Sequence, residues 1–170
     1  LLFEDLTPVT DYTFAVRAVN KSGVSEWCEV NTTTKSNPLE WAINGITATT
    51  SCPNQGGQGA DRLFDFGEGN IWHTAWSGKA VPFEMIIDLN GLSTIDKLHY
   101  LCREDAGNGT ITEATLCYST NKETWSEPID VKWERNGDVK VLIFENKPKA
   151  RYIKINVTEA VGNFGSGREM

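Results

Sequence analysis

The stretch NIWHTAW, residues 70–76, sets two tryptophans around a histidine with no charge between them. A sugar presents hydroxyls at its rim and a patch of C–H on one face. Proteins grip it with planar polar groups and an aromatic ring. His73 and Trp76, three apart, have the types for that chemistry, and equally the types for core packing. Just before them, DFGEGN at 65–70 crowds two carboxylates, an amide and two glycines into six residues. Calcium takes six to eight oxygen ligands in flexible geometry, and glycines permit the tight turn that aims carbonyls inward. The same composition also suits an ordinary acidic surface loop. Further on, LCREDAGNGT places Arg103 and Asn108 five apart, and GNFGSG sets Phe164 among glycines. The fork of an arginine suits two adjacent oxygens, and an asparagine offers both donor and acceptor. Arg103 could instead pair with Glu104 or Asp105, a weak surface contact. Trp72, Trp125 and Trp133 read as packing.

No enzyme motif accompanies these residues. GSG at 165–167 lacks the frame of a nucleophile elbow, phosphate-loop and dinucleotide glycine patterns are missing, and no motif pairs two carboxylates across a cleft.

Short strands must carry these residues. Tyr12, Phe14, Val16 and Ala18 alternate onto one face of DYTFAVRAV, and Phe83, Met85, Ile87 and Leu89 onto one face of PFEMIIDL. In RYIKINV, Arg151 starts a face continued by Ile153, Ile155 and Val157, with Tyr152, Lys154 and Asn156 opposite. ATLCYS, DVKWE and VKVLIF are further strand-like segments bounded by turn residues. No segment of a dozen residues has helical spacing, and ADRLFDF at 60–66 allows only a turn or two. The pattern predicts an all-β fold, an antiparallel β-sandwich.

The chain has 170 residues with 39% hydrophobic and 23% charged, which is globular rather than disordered composition. Its net charge of −7 includes no basic stripe, which argues against nucleic acid and anionic lipid as partners. No 18-residue apolar run exists, so no membrane insertion is expected. LLFEDLTP lacks a signal-peptide pattern, and the chain reads as beginning within a domain. Cys28, Cys52, Cys102 and Cys117 form no CxxC pair, and free, mostly buried thiols are expected. A boundary is expected near TTTKSNP, residues 32–38, dividing 1–35 from 36–170.

Two resemblances follow. LTPVTDYTFAVRAVNKSGVSEW resembles the late strands of a fibronectin type III module, which implies a β-hairpin-like fragment for 1–35. From about residue 40, seven segments in order resemble discoidin-type domains: ITATTSC, ADRLFDFGEGNIWHTAW, FEMIIDLNG, LHYLCRED with its GNGTI turn, LCYSTNKETW, RYIKINV and GSGREM. Within that group they are most similar to the family 32 carbohydrate-binding modules of bacterial glycan-degrading proteins. The final strand that follows this pattern in the family is not in the sequence. The resemblance implies a galactose-binding-domain-like jelly roll and no catalysis. It implies sugar binding by His73, Trp76, Arg103, Asn108 and Phe164, with His73 and Arg103 donating to hydroxyls and Trp76 as stacking platform. Gln55 and Gln58 are candidates for a further polar contact. It also implies a structural Ca2+ held by the Asp65 side chain, by Arg62 and Gly67 through backbone oxygens, by Asn70 and by Glu169. The family has Gly where Phe66 stands and Thr where Asn70 stands. The expected partners are glycans ending in galactose, GalNAc or GlcNAc and a catalytic domain of the same parent chain, a chitobiase-like glycosidase. The expected location is extracellular, at the cell surface or periplasmic. The alternative is a discoidin-type adhesion domain that binds protein or cell surface without sugar.

Overall fold

The computed structural model describes residues 3, 6, 10–34, 42–66 and 69–170. It divides into two compact units, Leu1–Ala42 and Ile43–Met170. The boundary expected between 35 and 36 falls on residues outside the described set.

In the first unit, β1 (Asp11–Val16) pairs antiparallel with β4 (Cys28–Thr33), and β2 (Val19–Asn20) with β3 (Gly23–Val24). Phe14 lies opposite Val30, and Tyr12 opposite Thr32. The Arg17 guanidinium sits 4.5 Å from the centre of the Trp27 ring, so the "VRAVN" and "SEW" segments meet.

The second unit is built on a five-stranded antiparallel sheet in the order β10-β9-β12-β7-β5. The strands are β5 (Thr47–Thr50), β7 (Phe83–Thr94), β9 (Ile111–Ser119), β10 (Ile129–Lys132) and β12 (Lys149–Ala160). Smaller pairs supply the facing layer. β6 (Trp72–His73) pairs with β13 (Ser166–Gly167), and β8 (Lys97–Tyr100) with β11 (Lys140–Ile143). One core fills the space between the layers. Met85, Ile87, Leu116, Ile155 and Val157 come from the sheet, and Trp72, Leu98 and Tyr100 from the facing strands. Trp72 and Phe83 meet edge to face at 5.9 Å across that core, a geometry aromatic rings favour. The all-β sandwich expected from the alternation is the observed fold, and ADRLF forms a single 3-10 turn, Ala60–Phe64.

Two details depart from the strand reading. In β12 a register shift falls between Ala150 and Tyr152. Arg151 is therefore exposed rather than on the Ile153 face, and its guanidinium clasps Asp88 at 3.1 and 3.2 Å. Such a bulge puts one extra residue into a strand and breaks period-2 counting. The thiols are all free, but Cys28 is exposed rather than buried.

Candidate functional site

Three segments meet at one end of the sandwich. The first follows β6, which holds Trp72 wholly buried while His73 retains 3% exposure. Four residues after Trp72 the chain has left the strand, and Trp76 stands 63% exposed. The second is the turn from Val161 to Gly165, carrying half-buried Phe164. The third is the loop 101–110, carrying Arg103 and Asn108.

Backbone hydrogen bonds stitch these segments together. Thr74 N–H donates to the Gly165 carbonyl at 2.8 Å, and Gly165 N–H donates back to the Thr74 hydroxyl at 3.0 Å. Ala80 N–H reaches the Asn163 carbonyl, Gly109 N–H the Val161 carbonyl and Ser166 N–H the Gly109 carbonyl, each at 2.8 Å. The Ser166 hydroxyl donates to the Asn108 carbonyl at 2.9 Å. Close approach demands glycine here. A methyl on Gly109, whose φ is +90°, would lie 2.7 Å from the Ser166 nitrogen.

The outcome is a small aromatic cluster. The His73 ring stands perpendicular to Trp76 at 6.3 Å and tilts against Phe164 at 5.7 Å. Asn108 borders the same turn: a side chain on Gly162 would meet Asn108 Oδ1 at 2.7 Å and Phe164 Cδ2 at 3.3 Å. Gln55 Oε1 accepts the Trp76 backbone N–H at 3.2 Å, so Gln55 holds the Trp76 backbone in place. Gln58 receives His73 N–H on its carbonyl, and its side-chain oxygen is enclosed without a hydrogen-bond partner among the described residues.

Two of the expected residues also make close local contacts. His73 Nδ1 lies 2.6 Å from the Thr74 carbonyl oxygen, which can only accept. A proton on Nδ1 satisfies that contact, and in this tautomer Nε2 is an acceptor. Arg103 forms no hydrogen bond or ring contact with the aromatic cluster among the described residues. Its Nε and Nη2 each lie 3.1 Å from the Asp105 carboxylate.

The acidic loop gathers part of its expected set. Asp65 Oδ2 accepts from Asn70 Nδ2 at 2.9 Å and lies 3.5 Å from Arg62 Nη1. Gly67 lies outside the described residues. Met170 N–H donates to the Leu63 carbonyl at 2.8 Å, which ties the segment bearing Glu169 to the 3-10 turn. Phe66 takes φ +54°, so the turn keeps the left-handed conformation that glycine takes most readily. Among the described residues no three His, Cys, Asp or Glu side chains converge as a metal site. The donor chemistry still fits calcium. Asp65, the Asn70 amide and the Arg62 carbonyl are all hard oxygen ligands, and calcium sites draw on such backbone and amide oxygens.

Residues 45–170 match the F5/8 type C domain family. The chain belongs to that family. Among similar solved structures, a Clostridium perfringens module termed CpGH89CBM32-5, in complex with GalNAc-β-1,3-galactose, is 31% identical with a TM-score of 0.66. The match covers 73% of this chain and 91% of that one. The family 32 module of C. perfringens NanJ, in complex with galactose, is 26% identical with a TM-score of 0.66 and coverages of 73% and 90%. A sialidase of Micromonospora viridifaciens is 30% identical over 73 residues, which span 41% of this chain and 11% of the sialidase.

Proposed function

We propose that this F5/8 type C domain is a non-catalytic carbohydrate-binding module whose ligand is a terminal galactose, GalNAc or GlcNAc. The observation that carries the reading is Trp76. Its ring stands in solvent beside a buried, oriented histidine and a second aromatic, Phe164. An exposed tryptophan with two further rings beside it offers a face that the C–H patch of a ligand can cover. Trp76 stacks on the C–H face of the sugar, Phe164 flanks it, and His73 Nε2 accepts from a hydroxyl. Asn108 and Arg103 bond the rim oxygens. The galactose-bearing complexes of the two C. perfringens modules support the choice of sugar.

A calcium ion at the acidic loop is a second part of the proposal. Asp65, Asn70, Arg62 and Gly67 through their carbonyls, and Glu169 would hold it. Its chemistry there is structural: a divalent charge that fixes the loop leading into His73. The partner is a catalytic domain of the same parent protein, a glycosidase acting outside the cytoplasm. Residues 1–35 are the end of a fibronectin type III spacer.

A glycan array followed by calorimetric titration tests the sugar reading. Wild type should bind β-galactosides or N-acetylhexosaminides, and Trp76→Ala should abolish measurable binding. Equal affinity of the two proteins would place the site elsewhere and favour the adhesion alternative.

A further inference from the structure

Asp105 is not part of the sugar set above, yet both of its oxygens are engaged within the loop that also carries Asn108. Oδ1 accepts Arg103 Nε at 3.1 Å and Gly107 N–H at 2.9 Å, and Oδ2 accepts Arg103 Nη2 at 3.1 Å. Gly107 leaves room for this, because a side chain there would lie 2.8 Å from both oxygens. The loop beneath is fixed from two sides. Arg135 Nε donates to the Ala106 carbonyl at 3.0 Å and Arg168 Nε to the Cys102 carbonyl at 3.0 Å. Arg168 Nη1 also reaches Glu104 Oε1 at 2.8 Å. The Arg103–Asp105 pair lies at the surface, with side chains 36% and 60% exposed, but it is two-pronged and mounted on a pinned backbone.

The pair has two consequences. It orients the guanidinium, and it leaves the two Nη1 protons and one on Nη2 outside the pair as donors. It also cancels the arginine's charge. The Arg103 hydrogen bonds, then the Gly107 N–H, hold the Asp105 carboxyl below the usual carboxylate range, so it stays ionised at neutral pH. A hydroxyl approaching those donors meets a fixed polar fork. A carboxylate approaching them meets attraction from Arg103, repulsion from Asp105 a few ångströms away, and an acidic chain behind it.

We infer that Asp105 is a positioning residue that sets charge selectivity at this site, so that it accepts neutral pyranosides and rejects their carboxylated counterparts, the uronic and sialic acids. The inference rests on the sugar-site reading above. Matched ligands separate the two. Methyl β-galactoside and methyl β-galacturonide differ by a carboxylate in place of the hydroxymethyl group. Each is titrated against wild type, Asp105→Asn and Arg103→Ala at low and at 0.5 M salt. Asparagine retains an oxygen for the Gly107 N–H, and a thermal melt checks its folding.

Wild type should prefer the galactoside by about tenfold or more. Asp105→Asn should raise galacturonide affinity about tenfold, with the gain lost at high salt, and lower galactoside affinity about threefold as Arg103 loses its orienting partner. Arg103→Ala should weaken both. A residue that merely braced the loop would lower both affinities together. An unchanged ligand ratio in Asp105→Asn, or a wild type that binds both ligands equally, overturns the assignment alone. A wild type that binds no neutral sugar overturns the sugar-site reading and this assignment with it.

Discussion

Thr74 is wholly buried, and both its hydroxyl and its N–H are spent on Gly165. Thr74→Val keeps the volume but leaves the Gly165 N–H without its acceptor in the interior. Such an orphan costs about 1–3 kcal/mol, so urea unfolding should show a loss of that size, and sugar affinity should fall as Phe164 loosens. Trp76→Ala is its opposite. The residue is largely in solvent, so stability should stay within about 0.5 kcal/mol of wild type while binding disappears. The types that could contact sugar were legible in the sequence because His, Trp, Arg, Asn and Phe announce their chemistry. Thr74, Gln55 and Asp105 were not legible as positioning groups. Each acts through a contact with a residue that only the fold brings near, apart from Asp105, whose partner is two positions away. For Asp105 the signal was present as a possible Arg103 pair, and its second bond, to Gly107 N–H, was the missing part.

Among the elements, the long strands were the easiest to foresee. Phe83–Leu89 and Ile153–Val157 alternate cleanly because one face of each meets the core and the other meets solvent. The irregular positions were not foreseeable: the bulge at Arg151 depends on how β12 registers with β7, which no local pattern encodes. The connection between β8 and β9 is where a single methyl should do most harm. Gly109→Ala meets the Ser166 backbone and also strains a left-handed φ. Circular dichroism melting should show a loss of more than about 2 kcal/mol, with sugar binding lost in the protein that remains folded.

For the whole molecule, acid and calcium are the levers. Arg151 holds the Asp88 carboxyl below its usual range, as Arg103 does for Asp105. Both groups stay ionised in the folded chain down to a pH at which the unfolded chain, titrating near pH 4, has begun to take up protons. Stability from these pairs is therefore full above about pH 4 and is lost as pH falls through the lower folded values. Urea midpoints measured from pH 6 to pH 2 should fall only over that acid range, and Arg151→Ala should flatten the decline. If the acidic loop holds calcium, adding the ion at about 100 times its dissociation constant to chelated protein should raise the melting temperature of the second unit by about 5–10 °C. Glu169→Gln should shrink the shift.

The hydrogen bonds that join Thr74, Gly165, Asn163, Gly109 and Ser166 also have a kinetic meaning. They finish the loops before any sugar arrives, so a ligand has no closure to wait for. Association should be a single concentration-dependent step with a similar rate for every sugar the site accepts. Discrimination between those sugars should then lie in how long each one stays.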